Sequence, residues 1–132
     1  MAWVVDTSVL LDIYSADPVF ALSSAQCLVR HAADGLVLSP VTYVELAPAF
    51  AGDVALQGQF LSEVGVQWPA SWTIDDTLAA HRLWAGHVAM KRAGHAGKRP
   101  VADVFIESFA CRFQGVITRN PKHFATVRVV VP

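Results

Sequence analysis

Short β-branched runs alternate along this chain with stretches of helical period, and that alternation predicts its elements. Trp3–Val5 reads as a buried strand, with Thr7 or Ser8 placed to cap a helix through Leu10, Leu11 and Tyr14. Asp17-Pro18 is a second helix start, with proline at the first helical position, and Gly35 is a stop after Arg30, His31 and Ala33. LVL at 36–38 is the next strand. Ser39-Pro40 repeats the start signal and opens a helix through Val44, Glu45 and Leu46, which Pro48 keeps from running straight on.

Leu56, Phe60, Leu61 and Val64 give helical spacing over 53–63, and 66–68 reads as a third strand before the turn-prone PASW. Thr73 with Asp76 three residues on forms a capping-box pattern. The long helix behind it carries Leu78, Leu83, Trp84 and Val88 to about Ala93. GHAGKR has two glycines and no large apolar residue, so it predicts a loop. Past Pro100, the residues Ala102, Phe105, Ile106, Phe109, Ala110 and Phe113 hold one helix face without a miss, the clearest helix in the chain. Gly115 ends it; 116–118 reads as a strand, Asn120-Pro121 as a turn and 127–131 as a last strand. Short strands between helices predict an α/β sandwich around a mostly parallel sheet, and 132 residues predict a single domain, 1–132.

Composition adds a partner to this picture. Hydrophobic residues make up 54% and charged residues 16%, against about 25% charged in an ordinary domain, so apolar surface is expected to be covered by another chain. No apolar stretch reaches the roughly 18 residues of a membrane span, and the start lacks a basic leader, so the expected compartment is the cytoplasm. Cys27 and Cys111 lie in apolar helical patterns without CxxC spacing and read as free buried thiols. The net charge of −1 hides an asymmetry: no acid lies between Asp76 and Asp103, where Arg82, Lys91, Arg92, Lys98 and Arg99 supply half of the 10 basic residues.

Four oxygen-bearing side chains stand where an apolar run ends or a helix begins: Asp6 in WVVDTSVLL, Glu45 in SPVTYVEL, Asp103 in RPVADVFIESFA and Asn120 in GVITRNPKHF. Ligands of an open parallel sheet gather beyond the carboxyl ends of its strands. Carboxylates brought together there repel by roughly 4 kcal/mol per pair at an effective dielectric near 20, which a cation offsets. The pattern therefore reads as a divalent-metal site. Each member also has a structural reading: Asp6 as a helix cap, Glu45 as half of a salt bridge, Asp103 as a first-turn charge on the helix dipole, Asn120 as a turn former. Glu107, one turn after Asp103, either faces the same cation or is a solvated outer residue, and the second is preferred. The basic interval is either a phosphate contact or a solvated face; its missing acids favour phosphate, with Arg119 and Lys122 flanking Asn120 as further candidates. Trp68, Trp72 and Trp84 are expected to pack rather than stack on bases. The five histidines are scattered and form no metal motif.

Taken in order, VVDTSVLLD, SPVTYVEL, ADVFIESFA and GVITRN resemble the PIN-domain family, in particular its VapC-type toxins, over nearly the full length. The resemblance implies a three-layer α/β/α sandwich with a short, mostly parallel central sheet. It implies that Asp6, Glu45 and Asp103 bind Mg²⁺ or Mn²⁺, Glu45 directly or through water, and that the chain hydrolyses RNA, pairs with a small antitoxin protein and forms a homodimer. Ser8 and Thr118 then orient a carboxylate or a metal-bound water, or serve only in capping and strand-end bonding. The family often has a further Asp where this chain has Asn120, a departure that lowers the charge of the site. A non-catalytic PIN-fold module that binds RNA or protein is the alternative. Receiver and haloacid-dehalogenase patterns do not fit, because Asp6 is followed by Thr7 and Ser8.

Overall fold

In the computed structural model, which describes residues 1–67 and 71–132, the sheet begins with β1 (Trp3–Val5), three consecutive buried residues. Two parallel strands flank it, β2 (Leu36–Val37) on one side and β4 (Gly115–Ile117) on the other. β3 (Val66–Gln67) and β5 (Val129–Val130) extend the two edges, so the order is β3-β2-β1-β4-β5 and every pairing is parallel. Strands 2–3 residues long suffice because both faces are covered. Of the strand expected at 66–68, Trp68 lies outside the described residues, and the last strand is shorter than the 127–131 that its β-branched run predicts.

Side-chain alternation divides the core in two. Trp3, Val5, Leu36 and Ile117 face α1 (Thr7–Tyr14), α2 (Ala21–His31) and α4 (Val54–Glu63), while Val4, Val37 and Val116 face α6 (Val101–Ala110). Ile106 and Phe109 of α6 are fully buried, each contributing about 1.5–3 kcal/mol. α3 (Pro40–Glu45) starts at the end of β2, and α5 (Ile74–Arg92) packs outside α6. The result is the expected α/β/α sandwich. Gly115 is required where β4 passes β5: a Cβ there would strike the Arg128 carbonyl and stand 2.8 Å from the Trp3 ring.

Local starts and stops follow capping chemistry, with corrections. The Thr73–Asp76 capping box forms in both directions, and Ser39 and Asp53 cap α3 and α4 through Thr42 N and Leu56 N. α1 is capped by Asp6, not by Thr7 or Ser8, which are its first two residues. Asp17-Pro18 does not open α2: the Asp17 carboxylate accepts from Val19 N and Phe20 N, each at 2.9 Å, closing a turn, and the helix starts at Ala21. α6 ends at Ala110, before Phe113. Cys27 is buried as expected, but Cys111 is exposed, because it follows the last helical residue rather than lying on the buried face. Trp72 packs with its ring parallel to Phe109, whereas Trp84 is 39% exposed. No described helix is long and apolar enough to cross a membrane.

Candidate metal centre

The strand order turns around at β1, so the carboxyl ends of β1 and β4 mark the position where open α/β sheets take ligands. Register fills it. Val5 lies opposite Ile117, so the residues that follow, Asp6 and Thr118, stand side by side, and the Asp6 amide donates to Ile117 O at 2.9 Å. Asp6 is 4% exposed. Its Oδ1 accepts from Thr7 N at 2.8 Å, and its Oδ2 accepts from the hydroxyls of Thr118 at 2.6 Å and Ser8 at 3.1 Å. Burial pushes the Asp6 carboxyl above its ordinary range; these bonds hold it partly down, and the charge of Asp103 adds to the rise.

Asp103 lies in the first turn of α6, half-buried, and its Oδ2 is 2.6 Å from His123 Nδ1. His123 escapes a reading of the sequence because its ring is aimed by the short 3₁₀ turn Pro121–His123, not by any metal-motif spacing. Glu45 ends α3 and is exposed; its Oε1 accepts from Thr7 Oγ1 at 2.7 Å, so it joins the site through Thr7 and makes no salt bridge among the described residues. Asn120 is exposed, its amide N–H donates to Thr118 Oγ1 at 3.0 Å, and its side chain gives the following turn no capping bond.

Glu107 belongs to another assembly. It is 1% exposed rather than solvated, because its carboxylate pairs with Arg99 and accepts from Thr126 N at 2.8 Å and Thr126 Oγ1 at 2.7 Å. Arg119 is likewise engaged, its Nε 2.7 Å from Asp12 Oδ2.

Among the described residues, no three His, Cys, Asp or Glu side chains lie close enough together to share one ion. The donor chemistry nevertheless suits Mg²⁺ or Mn²⁺. Every candidate ligand is an oxygen, and Asp6 accepts three bonds where its two oxygens offer about four sites.

The sequence matches no family model and no curated protein. Its fold does match solved structures. A chain of VapBC2 from Rickettsia felis, bound to a DNA fragment from its promoter, superposes with a TM-score of 0.73 at 14% identity, covering 99% of this chain and 98% of that one. A chain of VapBC-1 from nontypeable Haemophilus influenzae gives 0.67 at 19% identity over 99% and 98%. With its all-parallel five-stranded sheet between helical layers, this chain has a PIN-like fold.

Proposed function

We propose that the chain is a VapC-type toxin, a divalent-metal-dependent ribonuclease that hydrolyses RNA phosphodiester bonds in the cytoplasm and is inhibited by a small antitoxin protein. What supports this reading is the buried Asp6 carboxylate beyond the carboxyl ends of β1 and β4, bonded to Thr118 and pushed up by burial and by the charge of Asp103. Two carboxylates held near each other, one of them buried, cost stability unless a cation offsets their charge. Asp6 and Asp103 would hold the ion, with Glu45 directly or through water and the Asn120 amide oxygen beside them. Bound Mg²⁺ or Mn²⁺ supplies charge stabilisation to phosphoryl oxygens and a lowered pKa to water. Thr118 and Ser8 orient Asp6, Thr7 orients Glu45, and His123 fixes one oxygen of Asp103. Val19, Leu22 and Val29 are 70–77% exposed, apolar surface of the kind an antitoxin helix or a second copy covers.

The test is RNA cleavage by the purified chain. Activity is expected with Mg²⁺ or Mn²⁺, and its loss in Asp6→Asn and Asp103→Asn with the fold retained. Full activity in excess EDTA, or in either variant, overturns the reading. Light scattering is expected to give a dimer. The missing charge at Asn120 favours one other reading, a non-catalytic module, for which RNA binds the wild-type chain with metal present and stays intact.

A further inference from the structure

The basic residues between Asp76 and Asp103 do not act as one face. Arg99 turns inward onto Glu107, its side chain 13% exposed, while Lys91 and Arg92 stand exposed in the last turn of α5. Lys98 joins His87, Lys122 and His123 around a cavity of about 490 Å³ whose lining also includes Ala96, Gly97 and the Glu107-paired Arg99. Among the described residues no carboxylate lines this cavity, and neither lysine has an ion-pair partner. His123 is the ring whose Nδ1 meets Asp103. The cavity and the candidate metal centre therefore share one side chain as their common wall.

Two ammonium groups around one opening repel each other and attract an anion. The volume lies within the roughly 300–1,000 Å³ of small-molecule sites, enough for a phosphate with part of its nucleoside. Lysine recognises phosphate as a point charge, and the His87 imidazole offers a directional N–H donor. We propose that this cavity binds a backbone phosphate of single-stranded RNA, neighbouring the linkage held at the metal centre, and so sets which bond is presented for cleavage. The proposal takes its substrate class from the ribonuclease reading; the cavity and its charge stand apart from that reading.

The experiment compares Lys98→Gln/Lys122→Gln with Lys91→Gln/Arg92→Gln, which changes net charge equally outside the cavity. Binding of fluorescent single-stranded RNA is measured in EDTA over a range of salt, so that cleavage plays no part. The cavity pair is expected to lower affinity about tenfold and to flatten the salt slope by about 0.7, the value for one phosphate on a single strand, with about threefold or less for the other pair. Replacing single phosphates by methylphosphonate should reveal one linkage whose neutralisation weakens the wild type but not the cavity variant. Equal losses in the two double variants, or none in either, overturn the proposal. So does competition by polyglutamate as effective as by RNA at the same ionic strength, which assigns the cavity to an acidic peptide. Failure of the wild type to cleave RNA with metal present sinks the ribonuclease reading, while the EDTA comparison still decides the cavity.

Discussion

Replacing Glu107 tests whether one buried carboxylate holds both walls of the basic cavity. It accepts from Thr126 N, from Thr126 Oγ1 and from the Arg99 guanidinium, at 1% exposure. Arg99 adjoins Lys98 in the loop, and Thr126 follows the turn that carries Lys122 and His123. Glu107→Leu leaves a mostly buried guanidinium without its counter-charge, which costs about 3–5 kcal/mol. Glu107→Gln keeps one carbonyl for Thr126 and loses the charge assistance, for about 1.5–3 kcal/mol. Against a total of about 10 kcal/mol, the middle of the usual range, both variants are expected to remain folded at neutral pH. Urea unfolding followed by circular dichroism reads the cost as a lowered midpoint, by about 1–5 M for the Leu variant at the usual slopes. The double variant Glu107→Leu/Arg99→Met should recover much of the loss, because apolar replacement of both partners of a buried pair is often neutral. A Leu variant within about 0.5 kcal/mol of wild type, or a double variant that loses the full sum, refutes the clamp.

Two further outcomes are expected. Burial tends to raise the Asp76 carboxyl, but the Arg112 guanidinium and the Thr73 amide outweigh it and hold the group below its ordinary range. Its stabilisation is therefore complete above the unfolded value near 3.8 and is lost as pH falls through the lower folded value, so the urea midpoints of wild type and Asp76→Asn should differ at pH 7 and converge in acid below that folded value. Equal differences at pH 7 and in acid would contradict this. Asn120→Asp should tighten Mg²⁺ binding by calorimetry and lower the metal needed for cleavage, because the side chain, which gives the following turn no capping bond, gains a charge; identical titrations would leave Asn120 outside the site.

What the sequence discloses, and what it hides, follows from how far apart the interacting partners lie along the chain. Strands and helices were legible because their periods are local: the stripe from Ala102 to Phe109 and the β-branched Trp3–Val5 carry their own evidence, and α6 and β1 form where those patterns stand. Asp17 misled locally, since a carboxylate ahead of proline satisfies a turn as readily as a helix start, and the amides of Val19 and Phe20 took it. Asp6 was legible as a strand-end acid, yet its double duty as helix cap and site carboxylate emerges only when the register sets Thr118 against it, 112 positions away. Glu107 shows the limit most clearly. One helical turn from Asp103, it occupies the position of either a second ligand or a solvated residue, and nothing near it in sequence decides between them. The decision lies with Thr126, 19 residues on, and with Arg99 in a loop whose composition predicted only that it would bury little. Arg99 gives its charge to Glu107, whereas Lys98 and Lys122, which line the same cavity, have no ion-pair partner among the described residues, so tertiary pairing divides the basic residues into a structural arginine and two cavity charges.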